Sequence, residues 1–161
     1  MAASDLCQEI IKQGNVAQLE EGMEKKICNA FIAHLSDKSL DVQGNAVRCI
    51  QKIAPRIRET NLIMIVKVMA EIIVNGDQKD TRDIYSMAIR GITAEISDES
   101  GATMIKTLYP ILIMGFGAKQ SEDVHEDCIE ILSEILKRFA SLLLKREDLV
   151  LKDKLMVLIP E

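Results

Sequence analysis

Aromatic residues are scarce in this chain of 161 residues: tryptophan is absent, and aromatic residues make up only 3% of the sequence. Glycine (8) and proline (3) are also few, so the chain is poor in the aromatic and turn-forming residues of β-sandwiches. Because 48% of the residues are nevertheless hydrophobic, intrinsic disorder is excluded. The interior must be filled by aliphatic residues, alanine, methionine and cysteine, which suits helices packed on helices.

The chain also lacks an excess of basic charge and a long hydrophobic run. Its formal net charge is −5, so binding to nucleic acid through phosphate groups is not expected. The longest apolar run, from Leu108 to Ala118, is too short for the span of about 20 residues that crosses a membrane. No basic segment leads into an apolar stretch at the N-terminus. We therefore expect an intracellular protein that binds neither nucleic acid nor membranes and keeps its cysteines reduced.

Motifs that would indicate an enzyme or a metal centre are missing. The four cysteines do not show the C-x₂₋₄-C spacing of zinc sites, and His125 with Cys128 has no second pair. Residues 115–117 (Gly-Phe-Gly) resemble the start of a dinucleotide loop, but Gln120 stands where the third glycine belongs. We expect no catalytic residues, no cofactor and no metal. Cys7, Cys49 and Cys128 fall on apolar stripes and are assigned to the hydrophobic core. Six methionines among aliphatic residues are assigned to it as well: Met64, Met69, Met87, Met104, Met114 and Met156.

One short pattern occurs three times, starting at Val42, Thr81 and Val124. The starts lie about 40 residues apart, a period typical of repeats built from a pair of helices. Each copy has an apolar or small residue at its first, fifth and ninth positions, apart from Tyr85 in the middle copy, and one stripe of a helix produces that spacing. Such a helix pair cannot bury its own apolar face and must stack on its neighbours. The pattern predicts an all-α fold, an α-α superhelix of the HEAT or armadillo type.

Turn signals divide the chain into about three full repeats. The segment from Leu62 to Val74 is apolar nearly all round, which predicts a helix in an interior layer. Residues 97–101 (Ser-Asp-Glu-Ser-Gly) are interpreted as a loop, and Pro110 is expected to bend the helix that follows. The predicted division is a partial repeat at 1–22, repeats at about 23–58, 59–98 and 99–145, and a partial repeat at 146–161.

The second helices of the three repeats predict a surface for an extended protein partner, because such helices line one side of a stack. Its charge passes from basic in the first repeat to acidic in the third, which would help to orient a partner. The acidic run of the third copy is either a solvated helix face or a contact for a basic partner. Reversing the charges at Arg48 and Arg90, or at Glu126 and Glu130, should weaken partner binding without loss of thermal stability. The residues assigned to it are Gly44, Arg48, Gln51 and Lys52, then Asp83, Ser86, Arg90 and Thr93, then Glu126, Glu130, Ser133 and Lys137.

The order of several short motifs indicates a known family. Residues 35–38 (Leu-Ser-Asp-Lys), 46–50 (Ala-Val-Arg-Cys-Ile), 81–84 (Thr-Arg-Asp-Ile) and 122–124 (Glu-Asp-Val) follow one another at characteristic spacing. Together they resemble the N-terminal HEAT repeats of the cullin-associated, NEDD8-dissociated family, from about Ala2 to Leu144. That family's contact residues form no short motif, so none is transferred to this chain.

The resemblance implies a non-enzymatic solenoid that binds the C-terminal region of cullin–RING ubiquitin ligases lacking NEDD8 and regulates their assembly, in cytoplasm and nucleus. HEAT scaffolds such as nuclear-transport receptors and phosphatase scaffold subunits share the periodicity and are the alternative. Both chain ends fall inside helices of the repeat pattern, which predicts a fragment, one half of a split protein or a gene product that begins late. The remaining part of the solenoid would then be a further partner. The apolar segment from Leu149 to Ile159 predicts self-association through an uncapped end.

Overall fold

The computed structural model describes residues 20–76, 78–117 and 119–145. Within these residues the chain forms six α-helices and no strand, and none of the six combines the length and apolar character needed to span a membrane. The helix predicted from Leu149 to Ile159 lies outside the described residues. The six helices are α1 (Glu21–Leu35), α2 (Leu40–Ile53), α3 (Glu59–Asn75), α4 (Lys79–Glu95), α5 (Asp98–Met114) and α6 (Glu122–Lys145).

The helices pack as two rows of three. Consecutive helices form the hairpins α1–α2, α3–α4 and α5–α6. The first helices stack with α3 between α1 and α5, and the second helices stack with α4 between α2 and α6. The first and third hairpins are joined through the second one. This is a HEAT-like α-α superhelix, and the predicted all-α fold is confirmed.

The helix α3 is buried over most of its circumference, because α1, α4 and α5 surround it. Leu62, Ile65 and Met69 are among its buried residues. Lys67 and Glu71 face solvent, with 3.9 Å between the ammonium nitrogen and a carboxylate oxygen. The prediction of an interior layer from the all-round apolar pattern is therefore confirmed.

The stretch from Ser97 to Gly101 begins a helix and is not a loop. The side-chain oxygen of Ser97 accepts a hydrogen bond from the backbone N–H of Ser100 at 3.2 Å, which caps α5. Asp98 and Glu99 occupy the first turn, where the helix dipole favours negative charge. The loop prediction was wrong because serine and acidic residues mark helix starts as well as turns.

The helices α5 and α6 approach closely where Gly101 faces Phe139. A Cβ added to Gly101 would lie 2.4 Å from Cε1 of Phe139, whose ring is fully buried. At Phe139 the backbone of α6 leaves the helical region, with φ −114° and ψ 18°. Pro110, by contrast, lies inside a helix that continues to Met114. The non-helical backbone of α6 therefore coincides with the point where the Phe139 ring packs against α5.

A buried carboxylate joins the first two hairpins. Glu24 of α1 is 1% exposed and accepts hydrogen bonds from the backbone N–H of Arg58 at 2.7 Å and from the amide of Asn61 at 2.6 Å. It also pairs with the Arg58 guanidinium. Arg58 immediately precedes α3, so the Glu24 carboxylate accepts hydrogen bonds at the N-terminus of a helix in the next hairpin.

The three cysteines of the described region are buried: Cys28, Cys49 and Cys128. Burial, with a smaller effect of the nearby Glu24 carboxylate, raises the pKa of Cys28 to about 12. Burial likewise raises the pKa of Cys128 to about 11. The core assignment is confirmed for Cys49 and Cys128, Cys28 is buried as well, and Cys7 lies outside the described residues.

We expect these thiols to resist alkylation in the folded protein. The thiolate is the reactive form, and in Cys28 and Cys128 it is scarcely populated at neutral pH because burial raises both pKa values. Cys49 is shielded by its burial. In a Cys7→Ser variant, iodoacetamide should modify the native protein slowly. It should modify the urea-denatured protein rapidly at all three cysteines, and intact-mass spectrometry follows both reactions. Rapid labelling of the native variant would contradict the burial of these side chains.

Candidate protein-binding surface

The second helices carry the outward-facing charges predicted from the sequence, beginning with α2. Arg48 and Lys52 are exposed, and the Arg48 guanidinium donates to the side-chain oxygen of Asn45 at 2.6 Å. Gln51 is half-buried because its side chain lies over Gly91 of α4, where an added Cβ would be 1.9 Å from Nε2 of Gln51. The helix α2 therefore offers two basic groups to a partner, whereas Gln51 helps to pack α2 on α4.

The helix α4 is more deeply enclosed than its sequence indicates. Asp83 is exposed and Arg90 is partly exposed, but Ser86 and Thr93 are 1% and 0% exposed. Placing Ser86 and Thr93 on the outer face was wrong, because α4 packs against α2, α3 and α6 at once. Thr93 donates its hydroxyl to the carbonyl oxygen of Ile89 at 2.8 Å, so its polar atom is satisfied within the helix.

Met87 is an outward-facing residue that sequence reasoning missed. Its side chain is 53% exposed and lies on the same face of α4 as Asp83 and Arg90. The core assignment was wrong for Met87 and for Met114, because their hydrophobicity was given more weight than their helical position. The spacing from Asp83 to Arg90 is the signal that could have placed Met87. Of the other methionines, Met69 and Met104 are buried, Met64 is half-buried, and Met156 lies outside the described residues.

The helix α6 contributes the acidic part of the surface. Glu126 and Glu130 are exposed, and Ser133 is partly exposed. Lys137 is also exposed and lies 3.8 Å from a carboxylate oxygen of Glu134 in the same helix. The structure thus brings the predicted acidic residues of the third repeat next to the polar face of α4.

An ion pair links α4 to α6 across this surface. The guanidinium of Arg90 lies 2.8 Å from a carboxylate oxygen of Glu130, and both side chains are partly exposed. The sequence pattern treated these two residues as separate points in a field that passes from basic to acidic. They compensate each other instead, so reversing either charge would disturb helix packing as well as surface charge.

A buried arginine holds α4 against α6 beneath the surface. Arg82 is 4% exposed, and its Nε lies 3.2 Å from Oδ2 of Asp127. One of its terminal nitrogens lies 3.5 Å from a carboxylate oxygen of Asp123. The other donates to the carbonyl oxygen of Gly76 at 3.2 Å. Asp123 also faces Lys79 at 3.6 Å. Sequence reasoning missed this network because Asp123 suits a helix N-terminus, Asp127 suits a solvated face, and helical periodicity carries no signal for a buried arginine.

Burial raises the pKa of Asp127 above its ordinary value, although the hydrogen bond and the charge of Arg82 act in the opposite direction. The nearby negative charges of Asp83 and Glu130 raise it further. Burying the ionised form of Asp127 therefore costs free energy, and the contacts with Arg82 offset only part of that cost.

A cleft of about 240 Å³ lies between α4 and α6. The described residues of its walls include five carboxylates and two cationic side chains, Lys79 and Arg90. Three of the carboxylates belong to the ion pairs described above, whereas Asp83 and Glu126 form no ion pair within the described residues. Ser86 lines the cleft, and its buried hydroxyl has no hydrogen-bond partner there. The surface thus contains a concave acidic site.

The described ranges contain no group of three or more histidine, cysteine or carboxylate side chains arranged to hold a metal ion. His125, which the sequence places one helical turn from Cys128, stacks on Phe116 with ring centroids 6.0 Å apart.

The chain is similar along most of its length to proteins named cullin-associated NEDD8-dissociated protein 1 or 2. It is 26% identical over 159 residues to cullin-associated NEDD8-dissociated protein 1 of Arabidopsis thaliana, which covers 98% of this chain and 13% of that protein. The identity is 28% over 155 residues to the Drosophila melanogaster protein of that name, covering 94% and 12%. It is 24% over 146 residues to cullin-associated NEDD8-dissociated protein 2 of Rattus norvegicus, covering 88% and 11%. No protein-family model matches the chain.

Proposed function

We propose that this chain, a helical-repeat relative of the cullin-associated NEDD8-dissociated proteins, is a non-enzymatic scaffold for cullin–RING ubiquitin ligases. It binds the C-terminal region of a cullin that lacks NEDD8 and thereby regulates ligase assembly. The similarity over 98% of the chain to a protein named for its association with cullins carries this proposal. Because the chain spans only a small part of such a relative, docking on the cullin is the share of the activity that we assign to it.

The outward face of the second helices supports a docking role. In a stack of helix pairs, this row presents side chains from successive repeats to one extended partner. Arg48 and Lys52 supply positive charge at one end, and Asp83 and Glu126 supply negative charge further along. Unlike charges at separate positions favour one orientation of a charged partner and speed its association.

We expect the chain to bind a purified cullin–RING pair that lacks NEDD8 and not to bind the NEDD8-modified pair. A pull-down with the immobilised chain and each form of the complex measures this directly. Binding to the unmodified form alone supports the proposal. Absence of binding to both forms, by a chain whose circular dichroism shows folded helix, would refute it.

Charge reversal at two exposed positions should weaken this binding. Arg48→Glu and Glu126→Lys are each expected to raise the Kd about threefold to tenfold, because each replaces an attractive contact with a repulsive one. Among the described helices neither residue joins an ion pair, so the melting temperature should not change. Lys26→Glu on α1, exposed in the other row, is the matched control. An equal loss of binding in the control would show that the outward face of the second helices is not the docking surface.

A further inference from the structure

We propose that the cleft between α4 and α6 receives a cationic side chain, a lysine or an arginine, from a protein partner. This deepens the proposed function, since the partner would be the docked protein, but the cleft can be tested with small probes that do not depend on it. The proposal starts from the excess of carboxylates on the cleft walls. Acidic residues on a helix surface are usually solvated, so charge alone would not establish a site.

Two of the carboxylates are available to a ligand. Asp83 on α4 and Glu126 on α6 are exposed residues on opposite walls, and no ion pair with a described residue occupies either of them. The positive charges nearby are already engaged, Lys79 with Asp123 and Arg90 with Glu130. A further cation can therefore bind between the walls without displacing an existing pair.

The hydroxyl of Ser86 is the independent sign of a ligand. Ser86 is 1% exposed and lines the cleft, yet its Oγ has no hydrogen-bond partner among the described residues. A buried polar group without a partner is costly, so native proteins rarely keep one without a use. A serine hydroxyl can accept a hydrogen bond from an ammonium or guanidinium group, which would satisfy it.

The remaining wall suits an organic cation. Met87 is about half exposed at the edge of the cleft, where its flexible thioether side chain can pack along the methylene groups of a lysine or arginine. No metal-binding cluster occurs among the described residues, which argues against an inorganic cation as the occupant. Carboxylates at the mouth, a hydroxyl inside and an apolar edge together match a basic side chain.

The probe for this site is lysine with an acetylated α-nitrogen and a methylamide at the carboxyl end, so that only the side-chain ammonium is charged. The arginine derivative of the same form is the second cation, and the norleucine derivative is the uncharged control. Each is titrated into the full chain, uniformly labelled with ¹⁵N, and the amide shifts are followed by NMR. We expect saturable shifts at Asp83, Ser86 and Glu126 with one or both cations and none with norleucine. Shifts spread evenly over all acidic residues would overturn the proposal.

Variants separate a binding role of the cleft from a structural one. Ser86→Ala should leave the melting temperature unchanged or raise it, because it removes an unsatisfied buried hydroxyl, while raising the Kd of the probe about threefold to tenfold. Asp83→Asn and Glu126→Gln should each weaken the probe by a similar factor. Glu59→Gln, an exposed acid on α3 in the other row, is the control and should change nothing. Unaltered probe binding in all three cleft variants would overturn the proposal.

The same variants distinguish this inference from the proposed function. If the probe binds at the cleft but no cullin binds the chain, the cleft is a cation site and the proposed partner is wrong. If cullin binds equally well to the wild type and to Ser86→Ala, Asp83→Asn and Glu126→Gln, the docking proposal stands and the cleft inference falls.

Discussion

Replacing Arg82 with alanine should lower the free energy of unfolding by about 3 to 5 kcal/mol, because it leaves a buried carboxylate without its partner. Asp127 loses the guanidinium that lies 3.2 Å away, and the carbonyl oxygen of Gly76 loses a donor. Asp123 loses one of its two cationic neighbours. Urea denaturation followed by circular dichroism measures the change.

The stability deficit of the Arg82→Ala variant should grow between mildly acidic and neutral pH. The pKa of Asp127 in the folded protein already lies above its ordinary value of 3.8, and removing Arg82 removes the two influences that lower it. A carboxyl group with a raised pKa in the folded state favours folding while it is protonated. That contribution is lost as the pH rises through the folded-state pKa. The variant should therefore recover part of its stability as the pH falls through the raised pKa towards 3.8.

Arg48→Ala is the matched control for Arg82→Ala, because it removes the same charge from an exposed position in the same row of helices. We expect it to change the free energy of unfolding by less than about 0.5 kcal/mol. If the two variants lose equal stability, the buried network does not hold α4 to α6. A double variant, Arg82→Met with Asp127→Leu, should regain much of the loss, because two apolar side chains can replace a buried ion pair.

Replacing Gly101 with alanine should destabilise the protein by about 1 to 3 kcal/mol, the usual cost of overpacking a core. The new methyl group would lie 2.4 Å from the Phe139 ring, which is fully buried, so the ring or the helix must shift. Alanine is otherwise the better helix former, so the sign of the effect reports the packing. Guanidinium chloride denaturation gives the free energy for each variant.

Gly44→Ala provides the control for Gly101→Ala. Gly44 also lies inside a helix, but a Cβ added there meets no atom within 4 Å. Alanine at this position should stabilise α2 by about 0.5 to 1 kcal/mol. The two glycine variants should therefore change stability in opposite directions, and stabilisation by both would contradict the close approach of α5 and α6.

The two-row helical architecture could be predicted because periodicity reports which face of a helix is covered. The stripes beginning at Val42, Thr81 and Val124 identified three helices of one row, and the nearly continuous apolar segment from Leu62 to Val74 identified α3. Both signals follow from side chains that must leave water, and a single helix displays them in full.

The details of the binding surface could not be predicted in the same way, because they depend on contacts between helices. Ser86 and Thr93 lie opposite the apolar stripe of α4 yet are buried, since α4 has neighbours on three sides. Arg82 is buried because two aspartates of the next hairpin meet it, and no local pattern reveals a partner so far away in sequence. The pairing of Arg90 with Glu130 was hidden for the same reason.

The stacking of each hairpin on the next also bears on how fast the chain reaches its native state. Contacts join neighbouring helices, so those between hairpins, such as the 2.9 Å hydrogen bond between Ser36 and Tyr85, close loops of about one repeat. Short loops lose little entropy on closure. Folding can therefore begin at any hairpin and spread to its neighbours, and we expect refolding within about microseconds to milliseconds, as for other helical proteins of low contact order.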